Sequence, residues 1–152
     1  MTIEYDAACD EMKSQFWLAW SADTTAIVGY VPDVRWQNNE KPDKPDNAKF
    51  WLRLSVLAAD ERQSTLSNCV GEPGKKRYTA AGLVYMQLFC PKSVVTADKL
   101  GQQLSKVARN AYRGKKTAGG IWFRNVRIVP VNAEELFYRF NIIAEYEYDE
   151  LG

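Results

Sequence analysis

The stretch TAAGLVYMQLFCPKSVVTADKLGQQLSKVARNA, residues 79–111, changes its hydrophobic period halfway and so decides the fold class. From Thr79 to Cys90, Val84, Met86 and Leu88 alternate with their neighbours, the period of a strand, and Pro91 stops the run. After Thr96, at the position of a helix cap, Ala97, Leu100, Leu104, Val107, Ala108 and Ala111 recur at three- and four-residue steps along one helical face. Gly114 ends that helix.

The same pattern extends in both directions. Downstream of a basic, glycine-rich turn (Arg113 to Gly120), Ile121–Val129 and Phe137–Asp149 read as strands. In the last of these, Tyr138, Phe140, Ile142, Ala144, Tyr146 and Tyr148 alternate with Arg139, Asn141, Glu145 and Glu147. Upstream, Trp51–Leu57 sets Leu52, Leu54 and Val56 on one face and Trp51, Arg53 and Ser55 on the other, half exposed to water. The polar segment Asp60–Arg77 reads as the long loop of a hairpin.

The N-terminal part opens with Thr2–Ser21, where Ala8, Met12, Phe16 and Ala19 predict an amphipathic helix and Trp17 and Trp20 widen its apolar stripe. Between Gly29 and Lys49, three prolines and three asparagines predict a long connection with one short strand, Val34–Gln37. The sum is a single α+β domain spanning residues 1–152: an antiparallel or mixed sheet of four to five strands with two helices packed on one face.

The chain of 152 residues is 46% hydrophobic, with five Trp, eight Tyr and six Phe, enough to bury a core. No apolar run is long enough to span a bilayer, and the acidic N-terminus lacks the pattern of a signal peptide, so synthesis in the cytosol is expected. Cys9, Cys69 and Cys90 are an odd number without close spacing, read as reduced packing residues.

Histidine is absent, which removes the commonest general base and transition-metal ligand together. Gly71–Lys76 (GEPGKK) and Gly114–Thr117 (GKKT) look like phosphate loops but fail the spacing: the first has no Ser or Thr after its lysine, and Arg109 stands where the second needs glycine. Glu145 and Glu147 would sit on one face of the last strand about 6 to 7 Å apart, a separation open to acid–base work, but no apolar pocket beside them would split their pKa values. No catalytic residue, metal ligand or cofactor is expected.

Charge says more than any motif. Between Lys75 and Arg127 stand twelve Lys and Arg against one acid, Asp98, a segment charge of +11 in a chain of net +1, which leaves −10 for the rest. Three readings fit this: pairing within the fold, a nucleic-acid patch around Trp122, Phe123 and Arg124, or a subunit whose unlike surfaces meet head to tail.

Several strings, in order, resemble the tail-terminator family of tailed bacteriophages. They are Arg77 followed by Gly82-Leu-Val-Tyr-Met-Gln-Leu-Phe-Cys-Pro91, then Ala111-Tyr-Arg-Gly114, Ile121-Trp-Phe-Arg-Asn-Val-Arg127, and a last strand closing on Tyr146-Glu-Tyr-Asp149. The likeness runs from the first helix to the C-terminus, and its specificity lies in order, spacing and total length. It implies a virion protein, assembled in the host cytoplasm, that forms a hexameric ring on the head-proximal end of the tail tube. There it would stop polymerisation and present the head-docking surface. Its partners would be further copies of itself, the tube protein, a head–tail connector or stopper and passing DNA, with no membrane. The interface residues expected from this reading are Lys75, Lys76, Arg77, Arg113, Lys115, Lys116, Arg124, Glu145 and Glu147. The Lys41–Lys49 segment has no counterpart in the family and could contact a neighbour. Another neck protein, or a small nucleic-acid-binding domain, would be the alternative.

Overall fold

A computed structural model describes residues 2–38, 44–64 and 76–151. Cys69, the GEPGK part of the first glycine-rich fragment including Lys75, and residues 39–43 of the proline-rich connection lie outside the described residues.

The chain runs α1 (Tyr5–Asp23), α2 (Thr25–Val28), β1 (Asp33–Trp36), β2 (Trp51–Gln63), β3 (Arg77–Pro91), α3 (Ala97–Asn110), β4 (Trp122–Val131) and β5 (Phe137–Leu151). One five-stranded sheet has the order β1-β2-β3-β5-β4. The α+β class and the mixed sheet agree with the sequence reading. β1 pairs with β2 in parallel, and every other pair is antiparallel. Parallel neighbours need a crossover of roughly a dozen residues, which accounts for the long connection between Trp36 and Trp51.

Both long helices cover one sheet face. α1 buries Ala8, Met12, Phe16 and Trp20, and α3 buries Ala97, Leu104 and Ala108. They share a core with Leu52, Leu54, Val84, Met86, Leu88, Phe140, Ile142 and Ala144. The ladder accounts for this shared facing, since Leu52, Leu88 and Phe140 are laterally aligned, as are Leu54, Met86 and Ile142. α3 comes close to the sheet at Gly101, where a Cβ would lie 2.6 Å from Cys90 Sγ and 2.8 Å from Phe140 Cε2. A glycine there costs about 1 kcal/mol of helix propensity but admits that approach.

Several expectations are revised. The first helix starts at Tyr5, and Trp17 is 43% exposed rather than part of the core stripe. Residue spacing explains this: the core stripe advances by four from Ala8 to Trp20, and Trp17 stands one residue off it. β2 continues through Asp60–Gln63, read beforehand as loop, because Tyr78–Ala81 of β3 supply its ladder bonds while its side chains stay in water. Thr96 does sit at the cap position of α3, but in a left-handed conformation with φ 62°, and it makes no side-chain cap bond. That helix ends at Asn110, and Gly114 follows in a left-handed turn with φ 69°.

Candidate subunit and partner interface

The sheet face turned away from the helices is built from the alternate residues of each strand. On it Trp51 stacks on Phe89 with ring centroids 3.9 Å apart, and Phe137 meets both edge-on. This second apolar cluster is buried without helical cover. Two guanidinium groups flank it: Arg139 lies 4.9 Å from the Phe89 centroid, and Arg53 lies 5.5 Å from that of Trp51. Stacked in this way, arginine keeps its charge while sharing an aromatic face. Trp51 Nε1, Arg139 Nε and Asn141 Oδ1 are buried on or beside this cluster and have no hydrogen-bond partner among the described residues. Two are donors and one is an acceptor, the groups that a native interior or interface satisfies.

Farther along the same face lie three of the predicted interface residues. Glu147 accepts from Arg124 at 3.5 Å and stands 3.6 Å from Arg62, while Glu145 accepts from Arg127 at 3.0 Å. The structure therefore brings Arg124, Glu145 and Glu147 together as a cross-strand ladder of charge, the pairing that charge patterning alone admitted. Opposite-charge pairs on neighbouring strands contribute a few tenths of a kcal/mol each.

A bulge sharpens this ladder. Arg124 pairs with Glu145 and Arg127 with Ile143, so Asn125 and Val126 face Ala144 alone. Asn125 adopts φ 51°, and its side chain is the main cause holding the Glu145 carboxyl below the ordinary carboxylate range. Burial opposes it as the second-largest influence, and the Arg127 hydrogen bond and the charges of Arg127 and Arg124 each add a smaller lowering effect. A general acid needs its pKa raised, and Glu145 is shifted the other way.

The remaining predicted residues fall into two groups at the C-terminal end of β5. Lys76 and Arg77 stand where β3 begins, with Arg77 opposite Leu151. Arg113, Lys115 and Lys116 are exposed on the turn after α3, and Lys116 bridges to Trp122, itself opposite Glu147. Leu151 and Glu147 are four residues apart, on the order of 13 Å along a strand. That turn is firmly seated: Glu11 Oε2 accepts from Thr117 Oγ1 at 2.7 Å and from the Gly119 amide at 3.2 Å. The Tyr112 hydroxyl donates to the Met12 carbonyl at 2.6 Å from a fully buried position.

The sequence reading missed the α1 surface. Trp17 (43% exposed) and Leu18 (71% exposed) line, with Lys13, Ser14 and Trp36, a hollow of about 400 Å³. Trp17 and Trp36 meet edge to face at 6.3 Å. The signal available was the aromatic doublet itself, since Trp17 and Trp20 cannot both follow the four-residue spacing of the buried stripe. Described residues 44–49 of the proline-rich connection border a second cleft of about 330 Å³ that includes Tyr30, Arg35 and Trp51.

Among the described residues, no cluster of His, Cys, Asp and Glu could hold a metal ion, and no helix is long and apolar enough to cross a membrane. Cys9 and Cys90 are free thiols, and burial pushes Cys90 up to about 12.

No protein-family model matches the chain, and no curated relative matches it. Solved structures do. One, of a protein designated only by a sequence identifier, is 16% identical with a TM-score of 0.59, covering 91% of this chain and 94% of its own. A second, a chain from the virion of a native gene transfer agent particle, is 16% identical with a TM-score of 0.49, covering 97% of this chain and 100% of its own. At such identity the first likeness is one of fold, and the second is too distant to carry an argument.

Proposed function

We propose that this chain is a structural protein of a tailed-phage virion, the subunit of a hexameric ring that closes the head-proximal end of the tail tube and docks the head. The observation that carries this reading is where the family-like strings fall. Gly82–Pro91 pairs along its whole length with Phe137–Tyr146 at the centre of the sheet. Ile121–Arg127 adjoins the same strand from the other side. Ala111–Gly114 includes Tyr112, which ties the end of α3 to α1 and packs on Phe123 at 4.7 Å. The strings thus form one connected body of the domain, as residues under a common architectural constraint should.

The role is mechanical, not catalytic. The sheet and helices supply the ring wall. The basic positions Arg113, Lys115 and Lys116 on a firmly anchored turn, with Lys75, Lys76 and Arg77 before and at the start of β3, recognise acidic surfaces of tube, neck proteins or passing DNA.

Electron microscopy of particles made after an early stop codon is placed in the gene tests this reading. Overlong, headless tubes of irregular length are the expected result. Tails of normal length left unattached would move the assignment to another neck protein, and intact virions would overturn it. Duplex binding whose affinity falls steeply with salt would instead mark a nucleic-acid-binding domain.

A further inference from the structure

The exposed hollow on α1 is only partly used by the domain's own packing, through the contacts of Trp36 with Phe16 and Trp17. Its apolar rim consists of Trp17, Leu18 and Trp36, and Leu18 also borders a second shallow hollow with Asp10, Ser14 and Thr117. A side chain as apolar as Leu18, 71% exposed between two hollows, is the kind of anchor that protein interfaces centre on.

Charge identifies what covers it. Exposed on the flank formed by α1 and the end of β2 are the acids Glu4, Asp6, Asp10, Asp23, Asp60 and Glu61 and the base Arg62. The flank formed by α3, the turn after it and β4 exposes Lys99, Lys106, Arg113, Lys115 and Lys116 beside one acid, Asp98, with Trp122 41% exposed among them, while Arg124 and Arg127 are paired with Glu147 and Glu145. α1 reaches the β1 side of the sheet through the contacts of Phe16 and Trp17 with Trp36, while Glu11 and Leu18 of the same helix border the turn after α3. One molecule therefore carries an acidic flank with an apolar socket and a basic flank with an exposed tryptophan, so identical copies are complementary head to tail.

Resting on the ring reading above, we infer that the Trp17–Leu18–Trp36 hollow receives a second copy of this chain, through the α3–β4 flank around Arg113, Lys116 and Trp122. The contact is made by side chains and not by one continuous sheet. The outer edge of β4 is interrupted by the bulge after Arg124 and by Pro130, which has no amide to donate.

Two variants of the full chain test this: Leu18→Asp on the acidic flank, and Arg113→Glu with Lys116→Glu on the basic one. All three positions are exposed, and melting curves matching the wild type verify that the variants fold. In sedimentation velocity at low salt and up to millimolar concentration, the wild type should form higher species and each variant should stay monomeric at about ten times the wild-type midpoint. Each variant keeps the surface that the other has lost, so an equimolar mixture should give a heterodimer that grows no further. A wild type that never associates, a Leu18→Asp protein that assembles normally, or a mixture that stays monomeric would each overturn the inference.

The particle experiment separates the two claims. If loss of the gene gives overlong tubes while the Leu18→Asp gene restores normal tails, this contact is wrong and the ring reading stands. If loss of the gene leaves virions intact, the ring reading is the one that fails.

Discussion

At Gly82 a methyl group would meet the Leu57 carbonyl and lie 2.6 Å from the Tyr146 hydroxyl. Tyr146 crosses β3 at this point to reach the Leu57 carbonyl of β2, a bond of 3.4 Å beside the bulge at Ala59, and it stacks on Tyr148 with centroids 5.9 Å apart. A side chain at residue 82 must displace backbone, not a flexible tip, so Gly82→Ala should lower stability by about 1–3 kcal/mol, read as a fall in urea midpoint at unchanged m-value. Glu145 makes a different prediction. Its folded pKa is depressed, so its contribution is fully present above the ordinary carboxylate value and is lost as pH falls through the folded one. Glu145→Gln should therefore flatten the acid limb of a stability-versus-pH curve and leave the slope above neutrality unchanged. An equal slope change on the alkaline side would show that the carboxyl is not acting this way.

At the scale of elements, α1 and the end of α3 are joined by a buried phenol and by Gln15, whose Nε2 donates to the Ala111 carbonyl at 3.1 Å. Tyr112 is wholly buried, which raises its pKa far above the ordinary phenol value, and it remains a donor to the Met12 carbonyl at every accessible pH. Tyr112→Phe removes this bond while the Met12 carbonyl keeps its helical partner, and should cost about 0.5–1.5 kcal/mol in denaturant titration, with little change in the shape of the sheet. Elements such as α3, β3 and β5 were legible because each buries one face completely, and complete burial imposes a period on the sequence. The end of β2 was not, since Ala58–Gln63 is exposed on both faces and is strand only because β3 lies beside it. Parallel pairing of β1 was equally hidden, as four residues carry no register information. Of the candidate site, the Arg124, Glu145 and Glu147 ladder could be anticipated from alternation and sign. The Trp51–Phe89–Phe137 cluster could not, because a half-exposed strand face and a face capped by its own aromatics share one pattern.

For the whole molecule, unlike charge on two flanks means that association should weaken as salt is added. Exposed charges separated by more than about 10 Å are largely screened at 0.1 M salt. Raising ionic strength should shift the sedimentation midpoint of the wild type to higher concentration, and the Lys115→Glu, Lys116→Glu double variant should show a smaller shift. If salt strengthened association instead, apolar contact at the Trp17–Leu18 hollow would dominate over charge. The Trp51 face carries a further expectation, for Arg53 and Arg139 are held on aromatic rings and not in long flexible conformations. Arg53 is exposed, so Arg53→Ala should leave the melting temperature nearly unchanged while weakening any partner that uses this face.

The central ladder has a kinetic consequence. β3 and β5 pair residues that are 46 positions apart at Pro91 and Phe137 and 74 apart at Arg77 and Leu151, so the middle of the sheet closes only after α3, the turn and β4 have been looped out between them. Such non-local closure loses chain entropy before contacts reward it, so folding should be slower than that of helical proteins built from local contacts. The basic flank depends on that closure, since among the described residues β4 joins the sheet through β5. A newly made chain thus cannot display its basic flank in finished form until β5 has emerged and paired, which delays recognition between copies until that strand is in place.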